Sequence, residues 1–177
     1  MTSSDFIKWV YPQAQKLGEI SPVFVTAQAA LESGWGAKAI GNNLFGITKG
    51  SSWKGPVKLV TTTEYFLKPD KKFIAPEKVI AVKPVTVTVN GETKTRYRYL
   101  VERLFRDYAS LSDCLEDYLK ILKYNPLFSD AWYYRKNPDL FVDHLQDNIG
   151  AKYATAPNYV SVMKSLFRKV EREIQFL

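Results

Sequence analysis

Cysteine and histidine are almost absent from this sequence of 177 residues, which has one of each, Cys114 and His144. A single cysteine excludes an intramolecular disulfide and a cysteine-based zinc site. Zinc would need carboxylates for nearly every ligand, and a Ser-His or Cys-His catalytic pair would have to use His144. His144 falls in a predicted helix, where a surface or half-buried position is more common than a catalytic one. We therefore expect no metal site and no cofactor.

Long apolar runs are also missing. No stretch approaches the ~20 apolar residues needed to cross a bilayer. The first residues lack the basic start and apolar core of a secretion signal. The sequence therefore predicts a protein that is synthesised in the cytoplasm without a signal peptide or a transmembrane segment. Action outside the cell would require release by another component.

The amino-acid composition is typical of a folded domain with a basic surface. Hydrophobic residues make up 46% and charged residues 24% of the chain, values that exclude a disordered polymer. The length suits one domain, or one domain with an appended lobe. Lys and Arg number 25 against 18 Asp and Glu, which gives a net charge of +7. Such a surface suits a polyanion: nucleic acid, a membrane surface or an anionic cell wall.

Helical signals occupy both ends of the sequence. The first predicted helix spans residues 4–17, with Ser4 as a possible N-cap, and Pro12 is expected to kink or break it. The second helix has stronger signals, because Ser21 can cap it and Pro22 stands at its first position. A glycine-rich exit ends this second helix.

Three more helices are predicted in the C-terminal part of the chain. Ser110 can cap the first of them, and Cys114 lies in its interior as a packed core thiol. The second covers residues 139–148, and the third begins near Pro157. Their apolar faces most simply form the core, so the sequence predicts a mainly α protein with a small β lobe.

The middle of the chain, about residues 57–99, is rich in Val, Thr and Tyr and predicts β-structure. An Asn90-Gly91 turn signal separates two alternating runs. A two-residue turn there would place the valines opposite charged residues. A three-residue loop over 89–91 would pair Thr88 with Glu92 and gather the valines, threonines and tyrosines on one face. Because one apolar and one charged face make the better sheet, we favour the three-residue loop.

Glu32 lies at the predicted end of the second helix, just before Gly34, Trp35 and Gly36. An ionised carboxylate there meets the negative end of the helix dipole, and Leu31 and Trp35 would desolvate it. Both effects raise the pKa of Glu32, as a general acid working near neutral pH requires. Taken alone, such a residue is more often a solvated glutamate at the end of a surface helix.

Amides, aromatics and glycines follow closely after Glu32. Residues 42–47 read NNLFGI, and Trp53 comes soon after them. Aromatic faces stack on sugar rings and amides bond hydroxyl and N-acetyl groups, so this stretch is typical of a sugar site. A tight, well-packed loop would use the same residue types.

Five blocks of sequence resemble the glucosaminidase family, glycoside hydrolase family 73, which includes autolysins, flagellar muralytic domains and phage lysins. They read AQAALESGWG at 27–36, NNLFGI at 42–47, TTTEY at 61–65, FRDYAS at 105–110 and YATAPNY at 153–159. The blocks occur in the family's order over nearly the whole chain. The resemblance implies one catalytic domain over residues 1–177: a lysozyme-like helical domain with an enlarged β-hairpin insertion, the β lobe covering about 57–103.

The resemblance also implies the catalytic residues. It maps the general acid onto Glu32, the second carboxylate onto Glu64 on the β lobe, and an active-site tyrosine onto Tyr153. Two other carboxylates of the lobe, Glu77 and Glu92, are alternatives to Glu64. We predict that the following residues bind the substrate: Trp35, Asn42, Asn43, Phe45, Trp53, Tyr65 and Tyr159.

The function implied is cleavage of the N-acetylglucosaminyl-β-1,4-N-acetylmuramic acid linkage of peptidoglycan, as in a phage-type endolysin acting on the wall after release. Peptidoglycan is then the partner, nucleic acid is not, and the oligomeric state stays open. Two rivals remain: a muramidase or lytic transglycosylase of the lysozyme superfamily, and a non-catalytic basic domain that binds wall polymer or nucleic acid. The long segment at 67–103 could grip substrate or form an oligomer contact.

Overall fold

The computed structural model describes residues 1–89, 91–147 and 158–177. These form two compact units, a helical unit over 1–46 and 108–177 and a β unit over 47–107. The mixture of helices with a small sheet is the α+β class predicted from the sequence. Within the described ranges, every helix is too short or too polar to cross a membrane. The helices are α1 (Ser3–Gln15), α2 (Pro22–Ser33), α3 (Leu111–Tyr124), α4 (Ser129–Trp132), α5 (Pro138–Asp147) and α6 (Tyr159–Ile174).

Helix α1 differs from its prediction at both ends and in its middle. Its N-cap is Thr2 rather than Ser4, because the Thr2 and Asp5 side chains each bond the other residue's backbone N–H in a capping box. The helix continues through Pro12 without a break. Proline removes the hydrogen bond to the carbonyl four residues earlier, that of Lys8. Both residues are exposed, so water can bond the Lys8 carbonyl instead.

Helix α2 is the central element of the helical unit. Ser21 caps it and Pro22 opens it, as predicted, and a left-handed Gly34 ends it. Every residue from Phe24 to Ala30 is buried. A helix that is buried on all sides needs small side chains where neighbours approach, which explains its run of alanines.

The other helices close the core around α2. Phe24 of α2 packs against Phe141 of α5 with ring centroids 4.7 Å apart and against Phe167 of α6 at 6.0 Å. Ser110 caps α3 as predicted. Cys114 is fully buried in α3, and burial raises the pKa of its thiol to about 12. The prediction of a packed core thiol is therefore confirmed.

The β unit contains three antiparallel strands in the order β1-β3-β2. They are β1 (Val57–Phe66), β2 (Lys78–Val89) and β3 (Glu92–Arg106). The central strand β3 pairs with both neighbours, so alternate residues of β3 define two faces of the sheet. We call one the covered face, because it includes the buried side chains of Tyr99, Val101 and Phe105. The other is the open face.

Aromatic side chains and the 67–77 segment cover the first of these faces. The Tyr99 ring lies 4.9 Å from that of Phe66 and 6.5 Å from that of Phe73. Its hydroxyl donates to the Lys68 carbonyl at 2.5 Å and accepts from the Lys71 backbone N–H at 3.1 Å. This short segment therefore supplies the β unit with a core of its own.

The register of the β2–β3 hairpin contradicts our prediction of a three-residue loop. Thr88 pairs with Thr93 and Val89 with Glu92, which is the register of a two-residue connection. A three-residue loop would be favoured only if one face of the hairpin tip were buried. Thr88, Thr93 and Thr95 are exposed while Val87, on the other face, is only half-buried, so burial does not select the register. Turn geometry then sets it, as in short hairpins generally.

Candidate active site

Glu32 lies in the last turn of α2, at the end of the most buried helix of the molecule. The Gln28 side chain, one helical turn earlier, donates from Nε2 to Glu32 Oε1 at 2.8 Å. Residues four apart on a helix share one face, so the helix itself sets this contact. Glu32 is exposed while Gln28 is fully buried. The Glu32 carboxyl is therefore accessible to solvent, while a hydrogen bond from a buried side chain fixes its position.

Desolvation raises the pKa of Glu32 above its ordinary value, and the hydrogen bond from Gln28 opposes that shift without cancelling it. Exposure and desolvation are compatible here, because a carboxyl can meet solvent on one side and be crowded by protein atoms on the other. A carboxyl that keeps its proton to a higher pH can donate that proton near neutrality.

Gln28 is itself fixed by a second hydrogen bond. The Tyr159 hydroxyl, at the start of α6, donates to Gln28 Oε1 at 2.6 Å, and Tyr159 is buried. Because Tyr159 can donate its proton to Oε1, the amide must present its N–H to Glu32. Sequence reasoning missed Gln28, although its position four residues before Glu32 was the available signal. Tyr159, predicted as a sugar contact, supports the acid from within the core.

The chain leaves α2 by a sharp turn built from left-handed residues. Gly34, Trp35 and Gly36 have φ of +56°, +58° and +88°. Trp35 tolerates this conformation as a non-glycine residue, and its ring packs edge-on against Phe6 at 5.7 Å. The Lys169 ammonium lies 5.0 Å from the centre of the Trp35 ring. The turn holds a half-buried tryptophan within three residues of Glu32, and contact of Trp35 with substrate stays a prediction.

The 42–47 loop is mainly a structural element. Asn43 is buried, and Phe45 stacks on Tyr118 with centroids 3.8 Å apart. The Asn42 side chain donates to the Tyr108 carbonyl at 3.0 Å. Burial leaves Asn43 and Phe45 almost no surface for a sugar, whereas Asn42 is half-buried. The packed-loop interpretation describes this stretch better than direct sugar binding does.

In the β unit, Glu64 belongs to a cluster of two carboxylates around one guanidinium. Arg103 donates from one terminal nitrogen to Glu64 Oε2 at 2.7 Å and from Nε to Glu77 Oε2 at 3.0 Å. The same Glu77 oxygen accepts the Leu104 backbone N–H at 2.9 Å. Desolvation alone would lower the pKa of Arg103, but its bonds to Glu64 and Glu77 raise it overall. All three side chains are mostly buried.

The three carboxylates that we considered as the second catalytic group have different bonding partners. Glu77 uses one oxygen for two structural bonds, and Glu92 lies at the exposed hairpin tip, 3.7 Å from Lys94. Glu64 has only the bond from Arg103 to Oε2, and no other described group bonds its carboxylate. In the described part of the chain each of the three carboxylates thus bonds through Oε2 alone, and Glu64 as the second catalytic group stays a prediction from the family resemblance.

The remaining predicted residues are placed as follows. The Trp53 indole N–H donates to the Pro56 carbonyl at 2.9 Å, and Arg106 lies 5.1 Å from its ring centre. Tyr65 is 57% exposed on the open face of β1, available to a ligand. Tyr153 lies outside the described residues. Among those residues, no three metal-binding side chains cluster in a way that could hold an ion.

Several known proteins are similar to this chain over most of its length. The family model of the glucosaminidases, described as mannosyl-glycoprotein endo-beta-N-acetylglucosaminidase, matches residues 8–172. The peptidoglycan hydrolase FlgJ of Pseudomonas aeruginosa is 31% identical over 180 residues, covering 96% of this chain and 37% of the relative. FlgJ of Salmonella typhimurium is 32% identical over 179 residues, with 96% and 46% covered. The chain thus spans less than half the length of these relatives.

Solved structures show the same fold at domain scale. The C-terminally truncated glycoside hydrolase domain of Salmonella typhimurium FlgJ has a TM-score of 0.68 and 30% identity, covering 97% of this chain and 99% of that one. A peptidoglycan hydrolase mutant from Sphingomonas sp. A1 has a TM-score of 0.67 and 25% identity, covering 98% and 99%. Since the family model covers most of its residues, this chain belongs to the glucosaminidase family of glycoside hydrolases.

Proposed function

We propose that this chain is a peptidoglycan hydrolase that cleaves the N-acetylglucosaminyl-β-1,4-N-acetylmuramic acid linkage, with Glu32 as the general acid. The observation that carries the proposal is the desolvated Glu32 carboxyl, held by Gln28 at the end of a buried helix. The named activity of the FlgJ relatives supports the same substrate class. A polyanion-binding domain would need no such carboxyl.

The Gln28 hydrogen bond determines which oxygen of Glu32 carries the proton. Gln28 donates to Oε1, which acts as the carbonyl oxygen when Glu32 is neutral. The proton therefore resides on Oε2, from which it passes to the glycosidic oxygen as the bond to the anomeric carbon breaks. Positioned proton donation of this kind commonly supplies a factor of ~10²–10⁴ in rate.

Glu64 has the opposite chemical task, since it must stay anionic. Arg103 holds one of its oxygens, which leaves Oε1 to activate a water molecule or to steady positive charge at the anomeric carbon. In a third course, the substrate's own N-acetyl group attacks and Glu64 only stabilises charge. The product anomer separates these courses: proton NMR shows inversion if water attacks directly and retention if the N-acetyl group does.

Product analysis tests the proposed linkage. Purified sacculi are digested, the fragments are separated, and their reducing ends are identified by mass spectrometry. A reducing N-acetylglucosamine end supports the proposal. A reducing or anhydro N-acetylmuramic acid end would instead indicate a muramidase or a lytic transglycosylase. A turbidity assay on the same sacculi addresses the non-catalytic rival, because a binding domain leaves the turbidity unchanged.

Action as a phage-type endolysin stays a proposal that needs its own test. Expression of the chain together with a protein that forms large pores in the inner membrane should lyse the host. Expression of the chain alone should not, if it is made in the cytoplasm and depends on release. Lysis without the pore would show that it reaches the wall by another route.

A further inference from the structure

The net charge of the chain is confined to one unit. Residues 47–107, the β unit, contain 13 Lys and Arg against 6 Asp and Glu, a net charge of +7. The rest of the chain contains 12 of each, a net charge of zero. A basic surface that served solubility alone would need no such separation. The segregation indicates that the β unit meets an anionic partner.

The basic residues of the hairpin gather on the open face of the sheet. Strand pairing places Lys83 and Tyr65 on either side of Arg98, in one row across β2, β3 and β1. Directly paired residues project from the same side of an antiparallel sheet. Arg96 and Lys94 follow Arg98 at steps of two residues along β3, so they lie on the same face, closer to the hairpin tip. We call these five residues the basic face.

Three members of the basic face have no counter-charge. In the described part of the chain, Lys83, Arg96 and Arg98 form no ion pair, whereas Lys94 has Glu92 at 3.7 Å. Other basic residues of the β unit do have carboxylate partners: Lys58 with Asp107, Lys78 with Glu102 and Arg103 with Glu64. Lys83, Arg96 and Arg98 therefore form an uncompensated group of cations on the face of the sheet that is open to solvent.

The basic face lies on the opposite side of the sheet from Glu64. Glu64 pairs with Tyr99, whose side chain belongs to the covered face, and Arg103 bonds Glu64 there. Tyr65, the next residue along β1, points to the open face. A polymer held by the basic face is thus a different stretch from the one that meets Glu64.

We infer that the basic face docks the carboxylate-bearing peptide stems of peptidoglycan next to the strand being cleaved. The inference rests on the proposed function. The stems repeat carboxylates along an immobile polymer, which complements a row of cations, and the exposed ring of Tyr65 can pack on a sugar between them. A single-stranded nucleic acid fits less well, because its successive bases need several aromatic side chains, and the row offers one.

The test is co-sedimentation with purified sacculi, on ice, within the time in which wild type releases no soluble product. The variant K83S/R96S/R98S removes the three uncompensated cations. Its control, K8S/K16S/K120S, removes three exposed cations of the helical unit. Since each exposed ion pair contributes modestly, we expect about tenfold weaker binding for the first variant. Its salt dependence should also flatten, and the control should bind as wild type does.

Two results would overturn the docking surface. Equal losses in both variants would show that only total charge matters, and unchanged binding of K83S/R96S/R98S would show that the face meets nothing on the wall. Cleavage of a short, uncharged N-acetylglucosamine oligosaccharide is measured in parallel and should be unchanged in both variants. If wild type binds sacculi but releases no product from them, the proposed function fails while the binding comparison still decides the inference.

Chemical treatment of the sacculi identifies the partner. Amidation of the stem carboxylates should abolish the difference between wild type and K83S/R96S/R98S. Removal of phosphodiester polymers with hydrofluoric acid should leave that difference intact. The reverse pattern would assign the face to a phosphodiester polymer and overturn our assignment. Tighter binding of wild type to single-stranded DNA than to solubilised peptidoglycan fragments would overturn it in favour of nucleic acid.

Discussion

In the helical unit, the candidate carboxylate Glu32 has a neutral amide as its neighbour, whereas in the β unit Glu64 has a guanidinium. Desolvation without a cation favours the proton on Glu32. Glu64, by contrast, shares the guanidinium of Arg103 with Glu77. Glycoside hydrolysis uses a proton donor and an ionised carboxylate, and these different neighbours are the reason that we propose the first role for Glu32 and the second for Glu64.

The largest effect is expected from removing the proton of Glu32. Glu32→Gln preserves the acceptor for Gln28 but has no proton to give, so turnover on sacculi should fall by ~10²-fold or more. Thermal unfolding should be close to that of wild type. Glu116→Gln, at an exposed position of α3, is the matched control and should keep full activity. Near wild-type turnover in a folded Glu32→Gln enzyme would disprove the assignment of the acid.

Removal of the cation from the β unit should be the next largest effect. Arg103→Leu leaves Glu64 and Glu77 facing each other without a counter-charge and should cost about 2 kcal/mol in the free energy of unfolding. Arg103→Lys keeps the positive charge but lacks the two guanidinium nitrogens that bond Glu64 and Glu77. Its loss in the free energy of unfolding should therefore be smaller than that of Arg103→Leu. Chemical denaturation measures both. An Arg103→Leu protein as stable as wild type would mean that the cluster contributes nothing net.

Gln28→Leu should change the pH dependence of the reaction rate. The Gln28 hydrogen bond lowers the pKa of Glu32 against a larger rise from desolvation, so its removal should raise that pKa further. Activity requires the protonated acid, and the basic limb of the rate profile should therefore move to higher pH. A shift to lower pH would contradict the role given to Gln28. Gln15→Leu, on the exposed side of α1, serves as the control.

The same raised pKa has a consequence for stability. The folded protein holds the Glu32 proton more tightly than the unfolded chain, whose glutamates titrate near 4.5. The stabilising contribution is complete below that value and is lost as the pH rises through the folded pKa. Gln28→Leu should move this loss upward in pH. Urea denaturation of wild type and Glu32→Gln between pH 4 and pH 8 measures the contribution of Glu32 to the free energy of unfolding. The same series on Gln28→Leu measures the shift.

The smallest effect is expected for Tyr159→Phe. Loss of the hydroxyl leaves Gln28 Oε1 without its donor, at a cost of about 1 kcal/mol in stability. Turnover should fall only a few-fold, because Gln28 still contacts Glu32. A loss as large as that of Glu32→Gln would mean that Tyr159 takes a direct part in the reaction.

Sequence signals that act locally predicted the fold well. Ser21, Pro22 and Ser110 begin helices through contacts with their immediate neighbours, and the structure confirms all three. The hairpin register failed because we judged it by burial, which the solvated tip lacks. Burial depends on which elements meet, and that information is not contained in a single segment.

The same distinction between local signals and tertiary packing applies to the candidate site. Glu32 could be predicted as the acid because the helix that carries it and the glycines that end that helix are its neighbours in sequence. The cluster of Arg103 with Glu64 and Glu77 could not be predicted, since it requires β1, β3 and the residue just before β2 to come together. Asn43 and Phe45 resembled sugar contacts by residue type, but the packing of their loop turned them inward. Residue type alone does not distinguish a loop that binds sugar from one that is tightly packed.

The buried thiol of α3 makes this protein convenient for spectroscopy. Cys114 is the sole cysteine, it is fully enclosed, and the pKa of its thiol is about 12. It will stay unreactive toward maleimide dyes in the folded state, because labelling requires an accessible thiolate. A cysteine introduced at exposed Lys16 and another at exposed Thr88 would then take a donor and an acceptor without any background mutation. Energy transfer between the two dyes would then measure the distance between the two units, with and without added peptidoglycan fragments.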